Sequence, residues 1–291
     1  MRTNIRDLAN KVANGTKLTW LTCYDYSFAK ALAQTELDMI LVGDSGGMVS
    51  LGYPSTVPVT MDEMIHLSKA VRRGSPEKFI VGDMPKGSYE SSNQDAINNA
   101  MRFCKEADCD AIKLEGSGVM AERVRAIVDS GIPVIGHIGL TPQSSASFGG
   151  YRVVGKKQDE INELEIKAKQ LEEAGAFGIL LEAVPENVGE SLTSSGNCIY
   201  FGIGAGSKVH GQLLILHDLL GLYPDFRPKF AKNYVNISVS EFLRELERQE
   251  DVLKFGRQTR MDGFYAITLI AVRKFIEEVK LEHFPSAEYN Y

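Results

Sequence analysis

The feature of this sequence that most constrains its fold is a series of short apolar runs, each ending at a polar residue and followed by a helical segment. Seven runs follow one another along the chain: 18–23, 39–43, 79–82, 111–112, 133–136, 178–181 and 199–201. They are rich in Val, Ile and Leu and do not alternate with polar residues, as is typical of strands buried on both faces of a parallel sheet. The sequence therefore predicts an α/β fold built on parallel strands.

Two of the intervening segments carry clear helix signals. Thr60 and Glu63 form a capping box, and the helix that it opens is expected to run to about Gly74. Residues 159–174 have an amphipathic pattern, and Gly175 after them is a typical helix terminator. These segments have the length and position of helices that connect neighbouring parallel strands.

Strand and helix alternate seven or eight times, which favours a closed (β/α)8 TIM barrel over an open sheet. Residues 229–234 are the predicted eighth strand. From about residue 238 the alternation stops, and two further helices are predicted over 238–250 and 264–280. We interpret the chain as one barrel domain over 1–291, with 238–291 as a C-terminal helical extension that packs outside the barrel or against another subunit.

Charge and cysteine usage exclude several classes of protein. The formal net charge is -6 and no dense Lys/Arg run occurs, so a nucleic-acid partner is not expected. The four cysteines match no zinc spacing, which predicts free thiols in a reducing compartment. The N-terminus lacks the apolar core of a signal peptide, and no apolar run is long enough to cross a bilayer. The composition favours a cytoplasmic enzyme without a membrane partner.

The polar residues at the strand ends predict a common site. In a parallel barrel the carboxyl ends of all strands emerge on one face, where active sites of this fold lie. Five residues would converge there: Asp44, Asp83, Glu115, His137 and Glu182. Carboxylates crowded at one rim need a positive partner, and oxygen ligands suit Mg²⁺. Such an ion could chelate a 2-oxo acid and stabilise the enolate formed when the neighbouring carbon loses its proton.

Two side chains add to this chemistry, and each has a structural alternative. Lys113 would place positive charge beside the developing oxyanion, but it could also be a surface counter-ion. Glu182 lies between Leu181 and Ala183, and apolar neighbours favour the neutral form of a carboxylate, which suits it to proton transfer. Any one of the carboxylates could instead cap the next helix, and His137 could simply bond the backbone.

The glycine-rich segments do not indicate a nucleotide. Residues 202–206 have the spacing G-x-G-x-G after a predicted strand, whereas the dinucleotide fingerprint is G-x-G-x-x-G. We interpret them as a tight turn near the substrate. Gly149 and Gly150 mark either a mobile loop over the site or a plain turn.

These residues lie in sequence words that resemble the ketopantoate hydroxymethyltransferase family. The words are 22–30, 41–45, 71–74, 113–116, 136–144, 148–151, 181–185, 202–206 and 228–232. The resemblance covers about residues 15–235, and the order and spacing of the words are too specific for chance. It implies a (β/α)8 barrel related to the phosphoenolpyruvate mutase and isocitrate lyase group.

The resemblance and the strand-end argument together assign roles to seven residues. Mg²⁺ would be surrounded by Asp44, Asp83 and Glu115. The oxo acid would be contacted by Asp44, Ser45, Asp83 and Lys113. The catalytic residues would be Glu182, Lys113 and His137, with Glu182 as the proton acceptor.

The resemblance also implies the substrates and the assembly. The oxo acid would be 3-methyl-2-oxobutanoate, the one-carbon donor 5,10-methylenetetrahydrofolate, and the protein a homo-oligomer, by resemblance a decamer. Four places depart from the family pattern, and we expect them to reshape the pocket: Gly46, residues 53–54, residues 86–87 and His210. Two alternatives therefore stay open. One is the same metal-dependent enolate chemistry on another 2-oxo acid, and the other is a catalytically retired barrel that acts as an assembly protein.

Overall fold

The computed structural model describes residues 2–144, 150–235 and 264–291. Its centre is a closed barrel of eight parallel strands in chain order. The strands are β1 (Leu18–Thr22), β2 (Met39–Val42), β3 (Phe79–Asp83), β4 (Ala111–Glu115), β5 (Val134–Gly139), β6 (Gly178–Glu182), β7 (Ile199–Ile203) and β8 (Gly211–Leu214). The helices are α1 (Ile5–Ala13), α2 (Tyr26–Ala33), α3 (Gly46–Val49), α4 (Met61–Gly74), α5 (Asn93–Ala107), α6 (Val119–Asp129), α7 (Gln158–Glu173), α8 (Glu186–Ser195), α9 (Leu216–Leu220) and α10 (Phe264–Lys280). The predicted TIM barrel with extra C-terminal helix is confirmed.

The strands are buried on both faces, which explains why their sequences do not alternate. Every residue of β4 is buried, including Lys113 and Glu115. The helices lie close against the outer face of the barrel. At Gly82 in β3, an added Cβ would lie only 2.3 Å from the ring of Phe103 in α5. A glycine is needed there because helix and strand approach too closely for a side chain.

Pairing between β1 and β8 closes the barrel, with Leu18 opposite Gly211 and Leu21 opposite Leu214. The predicted eighth strand at 229–234 was therefore wrong. The true strand begins with Gly-Gln and passes almost directly into α9, so its sequence lacks a separate apolar run. Residues 229–234 follow Pro228 and begin with a turn, in which the Ala231 amide donates to the Pro228 carbonyl at 3.0 Å.

The helix predictions were confirmed where the structure describes them. The capping box of α4 is present, with Thr60 and Glu63 each bonding the other's backbone amide. The last predicted helix is α10, which packs outside the barrel against α2 and α9. The helix predicted over 238–250 lies outside the described residues. The assignment of 1–291 to one domain with an extension at 238–291 stays a prediction.

The first helix marks the end of the barrel away from the strand carboxyl ends. Lys11 of α1 forms an ion pair with Asp38, the residue before β2. Arg2 lies 2.6 Å from Asp110, the residue before β4. The loops that follow the strands therefore lie at the opposite end of the barrel. Within the described parts of the chain, no helix has both the length and the apolar character needed to cross a membrane.

Candidate active site

The structure brings the seven predicted site residues together around one cavity of about 420 Å³. Asp83, Glu115 and Glu182 are the last residues of β3, β4 and β6, and Asp44 follows β2 by two residues. The strand β5 continues through His137 to Gly139, so His137 lies within the strand. We call these residues the charged part of the cavity: Asp44, Ser45, Asp83, Lys113, Glu115, His137 and Glu182. Their individual roles stay predictions.

An ion pair between neighbouring strands forms the centre of the charged part. Asp83 and Lys113 are register partners of β3 and β4, and Lys113 Nζ lies 2.7 Å from Asp83 Oδ1. Burial raises the pKa of Asp83, an effect that Lys113 opposes. Burial alone would lower the pKa of Lys113, but Asp83, Glu115 and Asp44 outweigh it and raise that pKa. A nearly inaccessible cation is therefore held charged at the cavity wall.

His137 lies between two carboxylates. Its Nδ1 is 3.6 Å from Glu115 Oε1, and its Nε2 is 3.2 Å from Glu182 Oε2. Burial and the neighbouring Lys113, whose Nζ is 3.4 Å from Nδ1, lower the pKa of His137. The two carboxylates outweigh both effects, and the pKa is raised to about 9. The imidazole is thus placed to fix the orientation of Glu182.

The backbone around Glu182 is held in an unusual conformation. Gly139 has φ +95°, and a Cβ there would lie 2.3 Å from the Glu182 carbonyl oxygen. Ala183, the next residue after Glu182, has φ +48°, which is uncommon for a residue with a side chain. Such strained positions are found at functional sites, where the surrounding structure enforces them. The Glu182 side chain is 15% exposed, and it lines the cavity.

Gln143 is a site residue that the sequence argument missed. Its Nε2 donates to Asp44 Oδ2 and to the Met84 carbonyl, each at 2.9 Å. Its backbone amide donates to Glu115 Oε2 at 3.1 Å, and its Oε1 accepts from the Tyr89 hydroxyl at 2.7 Å. One buried residue, through its side-chain amide and its backbone amide, therefore orients two of the predicted metal ligands. Gln143 lies in a loop, where no periodic pattern marks it, although it belongs to the family word 136–144.

The oxygen donors of this part fit a hard divalent cation. Asp44, Asp83 and Glu115 are all buried and all line the cavity. Among the residues that the structure describes, no three His, Cys, Asp or Glu side chains form a ready-made metal site. Mg²⁺ commonly takes one or two carboxylates and completes its coordination with water and substrate. The donor set fits that mode of binding.

A second part of the cavity is lined by different side chains. We call it the aromatic part: Tyr151, Asp218, Tyr223, Phe226, Arg227 and Tyr291. The rings of Tyr151 and Phe226 stack with centroids 6.1 Å apart and planes 16° from parallel. The segment after β5 and the segment after α9 therefore meet at the cavity. The sequence analysis placed Tyr151 in a family word, next to a possible loop over the site, but it assigned no binding or catalytic role to any residue of this part.

The four departures from the family pattern do not line the cavity, which contradicts the expectation that they reshape the pocket. Tyr53 bonds Glu63 at 2.5 Å, and Lys86 pairs with Glu90 at 3.1 Å. His210 accepts from the Tyr200 amide at 3.0 Å before β8 begins. Gly46 contacts the ring of Tyr24, where a Cβ would lie 2.6 Å from a ring carbon. The side chains of Tyr53, Lys86 and His210 make contacts away from the cavity wall.

The four cysteines Cys23, Cys104, Cys109 and Cys198 are free thiols, as the sequence predicted. None of them lines the cavity. Burial raises the pKa of Cys23 and of Cys109 to about 12, so both thiols are held in the neutral form. Their environment fits a packing role.

Comparison with known proteins gives a consistent result. The family model described as ketopantoate hydroxymethyltransferase matches residues 2–287. The chain is 44% identical over 291 residues to a 3-methyl-2-oxobutanoate hydroxymethyltransferase of Desulfotalea psychrophila, covering 100% of this chain and 95% of that one. It is also 44% identical over 288 residues to the protein of the same name from Ignicoccus hospitalis, covering 99% and 98%.

Solved structures with a similar fold have other activities. Phosphonopyruvate hydrolase in complex with oxalate and Mg²⁺ matches with a TM-score of 0.57 at 12% identity, covering 96% of this chain and 99% of that one. A 2,3-dimethylmalate lyase, described as a phosphoenolpyruvate mutase/isocitrate lyase superfamily member, matches with a TM-score of 0.56 at 13% identity, covering 98% and 100%. At such low identity the likeness supports the barrel fold alone.

Proposed function

This chain belongs to the ketopantoate hydroxymethyltransferase family, and from that premise we propose that it transfers a one-carbon unit from 5,10-methylenetetrahydrofolate to 3-methyl-2-oxobutanoate. The product is 2-dehydropantoate, and the reaction passes through the enolate of the oxo acid. The oxo acid loses the proton on C3 and gains a hydroxymethyl group. Water supplies the hydroxyl oxygen, and the donor leaves as tetrahydrofolate.

The observation that carries the proposal is the buried Asp83–Lys113 pair beside two further carboxylates. Lys113 is 3% exposed and lines the cavity, and in this proposal its ammonium faces the keto oxygen of the oxo acid, which becomes negative in the reaction. A fixed positive charge in a site without bulk water stabilises such an oxyanion. Asp44, Asp83 and Glu115 would hold Mg²⁺, which when bound would supply a Lewis acid for the keto and carboxylate oxygens.

Glu182 takes the C3 proton onto a carboxylate oxygen in this proposal. Its Oε2 is 3.2 Å from His137 Nε2, so the imidazole keeps the carboxylate in one orientation as the proton arrives. Apolar side chains at the cavity wall, among them Leu41, Leu180 and Ile203, suit the isopropyl group that carries the proton. Positioning of the base and burial of the apolar group both favour proton loss at C3.

The leading proposal has more support than the two alternatives. The family departures that suggested another 2-oxo acid lie away from the cavity wall. A retired barrel has no need for a lysine and three carboxylates buried around one cavity, because buried charges destabilise a fold unless they are paired. By the same family membership we propose a homo-oligomer in the cytoplasm, where free thiols are the ordinary state.

Two measurements on one sample test the proposal. The protein is incubated with Mg²⁺ and 3-methyl-2-oxobutanoate in D₂O, with and without 5,10-methylenetetrahydrofolate. We expect deuterium at C3 without the donor and 2-dehydropantoate with it. Exchange without product would favour another one-carbon donor, and the absence of both would favour the retired barrel.

The variant Glu182→Gln tests the assigned base within the same assay. Loss of a general base lowers rates by about 100- to 10,000-fold. We expect C3 exchange and product formation to fall together by this factor, while calorimetry still detects oxo acid binding in the presence of Mg²⁺. Unchanged exchange in Glu182→Gln would remove Glu182 from the role. The control is Glu190→Gln, since this exposed glutamate of α8 does not line the cavity.

A further inference from the structure

The cavity is larger than its charged part requires. Its volume of about 420 Å³ lies in the range of about 300–1,000 Å³ that holds drug-sized ligands. A five-carbon oxo acid fills only a fraction of such a space. Much of the wall beyond the charged part belongs to the aromatic part, whose charged side chains are Asp218 and Arg227. This part therefore has room for a second, larger ligand beside the oxo acid.

Asp218 is buried without the partners that such a group normally has. It belongs to α9, is 4% exposed and lines the cavity. Its carboxylate accepts no hydrogen bond from any residue within 2–144, 150–235 or 264–291. Burial raises its pKa to about 7, and Arg227 opposes that shift. Buried carboxylates are ordinarily paired or hydrogen-bonded, because desolvation of an unpartnered charge is unfavourable.

Three polar side chains in this region form hydrogen bonds with partners other than Asp218. The Thr22 hydroxyl accepts from the Leu216 amide at 3.1 Å. The Tyr24 hydroxyl lies 2.8 Å from Ser45 Oγ. Arg227 Nε donates to the Ala231 carbonyl at 2.8 Å. None of these bonds reaches the Asp218 carboxylate, on which Arg227 acts through its charge. The carboxylate thus has free acceptor capacity towards the cavity.

The chemistry of the missing donors can be inferred from the carboxylate itself. Two carboxylate oxygens accept two parallel N–H bonds from a planar group that presents adjacent donors. The 2-amino-4-oxopyrimidine edge of a pterin has such a pair, namely a ring N–H and the neighbouring amino group. The aromatic side chains of the same part can contact the flat face of the ligand.

We propose that Asp218 binds the aminopyrimidine edge of the pterin of the one-carbon donor, with the aromatic part of the cavity as the donor subsite. This inference rests on the proposed function, because that function names a pterin as the donor. It assigns Asp218 to donor recognition, whereas the charged part acts on the oxo acid. The two ligands then lie against different walls of one cavity.

The test compares Asp218→Asn with wild type in the full-length protein with Mg²⁺ and the oxo acid present. A lost pair of charge-assisted hydrogen bonds weakens binding by about 10- to 100-fold. We expect that increase in the KM for 5,10-methylenetetrahydrofolate and in the calorimetric Kd for tetrahydrofolate. The KM for 3-methyl-2-oxobutanoate and the rate of donor-independent C3 exchange should stay within about twofold of wild type. The matched control is Asp225→Asn, an exposed carboxylate on the following segment that does not line the cavity.

The outcomes separate this inference from the proposed function. If the variant turns over with an unchanged donor KM, or binds tetrahydrofolate as wild type does, Asp218 does not recognise the donor. A parallel loss of C3 exchange would also overturn the inference, since Asp218 would then act on the oxo acid or on the fold. If wild type binds tetrahydrofolate through Asp218 but makes no product, the subsite stands and the proposed reaction fails.

Discussion

The charged part and the aromatic part of the cavity differ in how their polar groups are satisfied. In the charged part, Asp83 pairs with Lys113 at 2.7 Å, and Gln143 bonds both Asp44 and Glu115. In the aromatic part, Asp218 accepts no hydrogen bond from any residue of the described segments. The charged groups of the first wall are thus tied to one another by contacts within the protein, whereas the second wall lacks donors that a ligand could bring.

This difference indicates two ways of preparing a site for a ligand. A wall whose groups are already positioned can act on a small substrate without rearrangement, which is the requirement for stabilising a short-lived charge. A wall with an unpartnered carboxylate favours a ligand that brings matching donors. The new hydrogen bonds then offset the unfavourable free energy of burying the carboxylate. Each of the following experiments perturbs one wall, and the first also measures ligand binding at the other.

Asp83→Asn should have the largest effect, since it removes the anion that pairs with Lys113. In this variant we expect kcat/KM for the oxo acid to fall by about 1,000-fold or more. The more drastic variant Asp83→Ala should abolish the Mg²⁺-dependent binding of the oxo acid that calorimetry measures. The Kd for tetrahydrofolate measured without oxo acid should change little, because Asp218 lies on the other wall. Normal oxo acid binding in Asp83→Ala would contradict the assignment.

Gln143→Leu should have an intermediate effect. Groups that orient metal ligands typically contribute about 10- to 100-fold in metal affinity or activity. We therefore expect the Mg²⁺ concentration needed for half-maximal activity to rise by that factor, with activity partly restored at high Mg²⁺. The comparison variant is Gln94→Leu, which alters an exposed glutamine of α5. An unchanged Mg²⁺ dependence would show that Gln143 serves packing only.

The smallest of these effects is the one that Asp218→Asn should have on the stability of the ligand-free protein. The folded-state pKa of Asp218 is about 7, above the ordinary value of 3.8. The unfavourable burial of the carboxylate is therefore fully present above pH 7 and is relieved as the pH falls towards 4. We expect the variant to have a Tm higher by a few degrees at pH 8, with a smaller difference at pH 5. A difference independent of pH would contradict this cause, and Asp225→Asn should show none.

The sequence predicted the charged part well because its signals are local. Each apolar run marked a strand, and the polar residue at its end marked a position at the rim, so five scattered residues could be placed together. Gln143 and Asp218 carried no such signal. One lies in a loop, and the other follows a strand that begins with Gly-Gln and has only four residues. Their importance depends on contacts with distant residues, which periodicity does not report.

The expectation about the family departures failed for a related reason. Sequence comparison located the changes at residues 53–54, 86–87 and His210 but could not say which way their side chains point. In the structure, Tyr53 and Lys86 bond carboxylates on the outer surface. Proximity to the site along the chain did not bring these side chains to the cavity wall.

The pairing of β1 with β8 has a consequence for how the protein is made. All residues of the charged part have been synthesised once residue 182 leaves the ribosome, whereas Asp218 comes 36 positions later in the chain. The strand that completes the barrel, Gly211–Leu214, also comes after that point. A nascent chain arrested between these positions would carry the whole acid–base machinery on an open sheet. Asp218, the carboxylate proposed to bind the second ligand, is thus made directly after the strand that closes the barrel.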